Sequence, residues 1–170
     1  MPVRPSQFGP AWWLLLHYVC WVDGGDAAAD LLMALPLLLP CSACRARTYQ
    51  LMSTMPLQAS PLAASVTLHA AVNAKLGVRQ PFPDMLSVVQ RRFTSGAVTL
   101  TRSALLAALY MSVLDIDFAD PLRVAALRLG VSALRRALCV ELRALERAAS
   151  RSEALAVLEA MGAPPSLRLA

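Results

Sequence analysis

Lysine is all but missing from this chain: Lys75 stands alone, and arginine makes up the rest of the 16 basic residues. That bias fits a GC-rich genome as well as it fits any ligand. Charge of either sign is scarce, at 16% of residues against about 25% in an ordinary soluble domain. Aromatics are only 6%, so a core must be built mainly from Leu, Ala, Val and Met. Four cysteines in 170 residues are too few for a disulfide scaffold. Long apolar runs are missing too. The densest, residues 12–22, 31–39 and 104–116, fall short of the roughly 18–20 residues of a membrane span, and Pro36 interrupts the second. No basic leader followed by a small-residue cleavage site opens the chain. The expectation is a cytoplasmic protein with neither a signal peptide nor a membrane span.

What is abundant is apolar surface, 57% of residues, enough to offset the ordering entropy of the chain and exclude disorder. The length predicts one domain, or one domain with a helical extension. The apolar excess points to a further buried surface, most simply a subunit interface. No stretch alternates with a period of two, and no repeat or low-complexity tract stands out. Punctuation instead cuts the chain into helices, and the fold class read from it is all-α. Gly9-Pro10 opens a first helix that stops at Asp23-Gly24-Gly25. Asp26 caps a second, ending between Pro36 and Pro40. A third runs from Pro40-Cys41 to just before Met55-Pro56. Ser60-Pro61 caps and starts a fourth that closes at Gly77, and Pro83 or Asp84 starts a fifth ending near Phe93. Beyond Gly96 the composition shifts to Ala, Leu and Arg. Residues 103–118 read as one helix, Asp120-Pro121 as the start of another, and Ser150 with Glu153 as the capping box of a last one. Leu127, Val131, Leu134, Leu138, Leu142 and Leu145 form one apolar stripe, with Gly130 as a point of kinking or splitting.

Three clusters carry chemistry. Cys41-Ser42-Ala43-Cys44 places two thiols on one face of a helix start, within disulfide reach, where the helix N-terminus favours the reactive thiolate. Half a zinc site, or a pair of buried structural thiols, stands beside the redox reading; a thioredoxin-type motif lacks its βαβ pattern. Trp13 and His17 are four apart and share a face, which by itself describes a core tryptophan beside a satisfied histidine. His69, Val72, Asn73 and Leu76 form a second stripe, and two polar groups turned inward on an apolar helix need partners.

Taken together, Gly9-Pro10-Ala11-Trp12-Trp13-Leu14-Leu15-Leu16-His17, then Pro40-Cys41-Ser42-Ala43-Cys44-Arg45, then His69-Ala70-Ala71-Val72-Asn73-Ala74-Lys75-Leu76-Gly77 resemble the Erv/ALR family of FAD-linked sulfhydryl oxidases over about residues 8–93. The resemblance implies a four-helix bundle with a short fifth helix over residues 8–95, holding FAD and pairing as a homodimer, followed by a C-terminal helical extension over 97–170. It implies that Gly9, Trp13 and His17 contact the flavin from the first helix. His69, Val72 and Asn73 would meet the adenine and ribose side, with Leu76 lining the pocket. Lys75 would meet a phosphate, and Phe93 would close over the cofactor. Cys41 and Cys44 would be the catalytic pair, Cys41 attacked by a substrate thiolate and Cys44 nearest the flavin, with electrons passing to oxygen to give hydrogen peroxide. The chain departs from the family pattern at Ala70 and Val78, with Arg79 a candidate to replace a missing charge. It also lacks the family's stapling cysteines near Thr67 and Asp84, and has no second C-x-x-C shuttle. Its substrates would then be protein thiols attacking directly, or a small thiol-carrier protein acting as relay.

Plain, leaderless members of this kind are similar to oxidases encoded by large DNA viruses, which implies action in infected-cell cytosol or in the virion. Outside the resemblance, Arg136, Arg143, Arg147 and Arg151 are expected on one solvated, salt-bridged helix face rather than on a nucleic-acid site, because interleaved aromatics are lacking. Cys20 and Cys139 stand alone or bridge, within or between subunits. Two alternatives remain at this level: a non-enzymatic helical assembly protein with a decayed cofactor site, and a zinc-binding adaptor using Cys41 and Cys44 with His17 or His69.

Overall fold

The structure, a computed structural model, describes residues 5–55, 60–75, 77 and 82–163. Among them the only regular elements are nine helices: α1 (Pro5–Val22), α2 (Asp26–Leu38), α3 (Ser42–Thr54), α4 (Pro61–Lys75), α5 (Phe82–Thr94), α6 (Arg102–Asp115), α7 (Pro121–Leu138), α8 (Arg143–Arg147) and α9 (Arg151–Ala160). The fold is all-α. No described helix is long and apolar enough to cross a membrane.

Helix α6 is apolar on nearly every side, so it goes to the middle. Its residues from Leu105 to Val113, all but Ala107, are buried. It packs on α1 and α9, pinned by a bond from Trp12 Nε1 to Ser112 Oγ at 3.2 Å and by one from Tyr110 Oη to Glu159 at 3.0 Å. Helix α7 lies along α2. The two pack tightly at Gly130, where a Cβ would stand 2.6 Å from Leu38 Cδ1 and 3.7 Å from Ala34 Cβ. Helices α1, α4 and α5 pack on one another, and α3 packs on both α2 and α4. One apolar core runs from Phe8 through Leu105, Leu127 and Leu158, so residues 97–163 pack directly on the N-terminal bundle.

Local rules explain most helix ends. Ser60 Oγ accepts from Ala63 N, Asp120 Oδ1 accepts from Leu122 N and Arg123 N with Pro121 at the first position, and Ser150 Oγ accepts from Glu153 N. The capping box closes one residue further back than expected, because Glu153 Oε2 takes the Ala149 N–H.

Five sequence expectations are corrected. Helix α1 begins at Pro5 and carries Pro10 inside it. So near the helix start a proline forfeits one hydrogen bond, to the Ser6 carbonyl, and the burial of Phe8 and Trp12 outweighs it. Asp26 is the first residue of α2 and not its cap. Asp23 does that work, its Oδ2 accepting from Gly25 N and Ala28 N. Helix α6 stops at Asp115, three residues early, because the Asp115 carbonyl is bonded by Arg123. Finally, α7 passes through Gly130 unbroken and ends at Cys139, whose φ of 52° is left-handed. Arg136, Arg143 and Arg151 therefore lie on three separate helices rather than on one face. Arg136 is ion-paired with Asp30, while Arg151 donates to the Ile116 carbonyl.

Candidate functional site

The turn between α2 and α3 carries the cysteine pair. Cys41 is the N-cap of α3, and its sulfur accepts the Cys44 N–H at 3.2 Å. The two are joined as a disulfide, with Cα atoms 5.1 Å apart. A sulfur in the capping position is also where a thiolate gains most from the helix terminus. The turn is held from behind. Arg45 Nη1 donates to the Leu39 carbonyl at 3.0 Å and to the Asp115 carboxylate. Arg123, only 6% exposed, donates to the Leu37 carbonyl and to Asp115. One carboxylate at the end of α6 thus ties α3 and α7 to the carbonyls leading into the cysteines.

A second wall forms where α1 meets α4. The Trp13 and His69 rings are parallel to within 8°, with centroids 4.1 Å apart. His17 adjoins both rings, its Nε2 2.9 Å from His69 Nδ1 and its Nδ1 3.0 Å from Ser65 Oγ. Burial, with a further contribution from the neighbouring His69, pulls the His17 pKa from 6.5 down to about 3. Burial alone takes His69 to about 4. Both imidazoles are neutral at ordinary pH.

These walls face one cavity of about 1090 Å³, at the top of the range for cofactor and ligand pockets. Gly9, Trp13 and His17 line it from α1, Cys41 and Cys44 from the α2–α3 turn, His69, Val72, Asn73 and Lys75 from α4, and Phe93 from α5. Phe93 makes an edge contact with Tyr18, ring centroids 5.4 Å apart. Leu76, Val78 and Arg79 lie outside the described residues. Among the lining residues that sequence reasoning missed are Arg47 and Arg92. With Lys75 they are the charged residues among the described residues of the lining, which include no Asp or Glu. The signal was present: Arg47 lies one turn after Cys44 on α3, and Arg92 adjoins Phe93. Ser65 was missed as well, although it stands four residues before His69 on the same face.

Cys20 and Cys139 are free, one buried and one exposed. Burial pushes the Cys20 thiol up to about 12, against the smaller opposing effect of the nearby Ser65 hydroxyl, so it is protonated and inert. Among the described residues no three His, Cys, Asp or Glu side chains gather as a metal site would need. No protein-family model, curated protein or solved structure matches the chain.

Proposed function

We propose that this chain is an FAD-dependent sulfhydryl oxidase that makes disulfides in protein thiols, with dioxygen as the final acceptor and hydrogen peroxide as product. The observation that carries the reading is a shared cavity whose described walls hold a disulfide, a parallel indole–imidazole stack and three cations without a carboxylate. Its residues fit a flavin dinucleotide. The volume suits a large cofactor, the flat Trp13–His69 surface suits a ring system, and Arg47, Lys75 and Arg92 suit a pyrophosphate. Bound FAD would supply the two-electron acceptor and the onward route to oxygen, chemistry that amino acids lack.

The chain's own part is thiol exchange. A substrate thiolate attacks Cys41 Sγ, the Cys41–Cys44 bond breaks, and Cys44 leaves as a thiolate facing the cavity. A second substrate thiolate then attacks the substrate sulfur of the mixed disulfide. Cys41 departs as a thiolate, stabilised by the Cys44 N–H and the α3 terminus. The pair has gained two electrons and the substrate has lost two. Arg45, fixed by Asp115, keeps the turn in register during this opening and closing.

The visible spectrum of the purified protein tests the reading. A flavin band that bleaches with dithiol under nitrogen and returns in air is the expected result. A colourless protein that cannot be loaded with FAD would overturn it and favour a helical assembly protein. Cys44→Ala should keep the flavin and lose at least about 1000-fold in dithiol-driven oxygen uptake, since no residual pathway to the cofactor remains.

A further inference from the structure

Ser65 is fully buried between α1 and α4 and has a single proton to give. Its Oγ lies 2.8 Å from the Leu62 carbonyl. A carbonyl oxygen can only accept, so the Ser65 proton is committed there. The same Oγ is 3.0 Å from His17 Nδ1 and must be the acceptor in that contact, which puts a proton on His17 Nδ1. In a neutral ring His17 Nε2 is then a bare lone pair, and the 2.9 Å contact to His69 Nδ1 requires His69 to donate. The His69 proton is thereby placed on Nδ1. We infer that Ser65 is a positioning residue that sets the tautomers of both histidines, so that His69 offers the cavity ligand a hydrogen-bond acceptor at Nε2 and never a donor.

Neutral rings are a condition of this order, and burial keeps both neutral. The Cys20 thiol, against the same hydroxyl, is protonated as well, and a neutral sulfur is too weak an acceptor to draw the Ser65 proton from the Leu62 carbonyl. The arrangement imposes a choice, because a free imidazole prefers its proton on Nε2 and here both rings carry it on Nδ1. At the cavity, the His69 edge suits an N–H or O–H of the ligand and rejects a carbonyl or phosphate oxygen. This consequence for the ligand rests on the flavin reading, where an amino or ribose hydroxyl group would be the donor. The tautomers themselves do not depend on it.

The chain has only two histidines, so ring-¹⁵N labelling of the full 170-residue protein gives four nitrogen signals, recorded with and without added FAD. The expected spectrum has protonated Nδ1 and bare Nε2 on both rings. Ser65→Ala should return the proton of at least one ring to Nε2 and weaken FAD binding about tenfold, and Ser65→Thr should restore both. A proton on His69 Nε2 in the native protein, or tautomers unchanged in folded Ser65→Ala, would overturn the inference. A protein that takes up no FAD sinks the flavin reading instead, and the nitrogen spectrum still decides the tautomers.

Discussion

Two helix pairs in this molecule are built to opposite rules. Helices α2 and α7 meet through Gly130, Ala34, Leu31 and Leu38, with no polar atom between them at that point and no room for one more carbon. Helices α1 and α4 meet through Trp13, His17, Ser65 and His69, joined by hydrogen bonds and ring stacking, and they open onto the cavity. Around Gly130 the first seam draws its stability from density, which is indifferent to pH. The second keeps polar groups dry, so every one of them must be satisfied and uncharged. The cavity opens on the second kind of seam, and the first kind supplies rigidity behind it.

Acid should separate the two seams most. The folded pKa values of His17 and His69 lie below the unfolded 6.5, so the unfolded chain binds more protons between pH 6.5 and about 4. Stability is therefore complete above pH 6.5 and falls as pH drops through it. By pH 5 the loss should be about 2 kcal/mol from His17 and roughly 1 kcal/mol from the half-buried His69. Urea unfolding at pH 7 and pH 5 measures it, and His17→Gln should remove the larger share of the difference. A stability that does not change with pH would mean that these histidines are open to water.

Gly130→Ala attacks the dry seam. The added carbon must push Leu38 aside, at about 1–2 kcal/mol, with the pH dependence untouched. Chemical denaturation would register the cost, and a neutral result would mean that the seam is loose. Smallest, and opposite in sign, is Cys139→Gly at the end of α7. Relieving a left-handed residue should stabilise by up to about 1 kcal/mol, visible as a modest rise in melting temperature.

Much of this was legible in the sequence because it depends on local chemistry. Ser60, Asp120 with Pro121, and Ser150 announce their caps by residue type and spacing. The stripe of His69, Val72 and Asn73 does face one cavity with Trp13, His17 and the cysteines. What was hidden depends on distant contacts. The end of the leucine stripe at Cys139 has no glycine or proline to mark it, and Leu142 and Leu145 stay buried because α8 folds back onto α7. Asp23 replaces Asp26 as a cap through a reach of five residues to Ala28. Arg47 and Arg92 join Lys75 only once three helices surround the same space.

The clasp on Arg45 bears on how the protein is made. Its carboxylate, Asp115, is synthesised seventy residues after the arginine it holds, and Arg123, which shares that carboxylate, comes later still. A nascent chain therefore exposes its cysteine turn on the ribosome well before the parts that seat it exist. The order of translation means that the cysteine turn is locked only after α6 and α7 have emerged and docked.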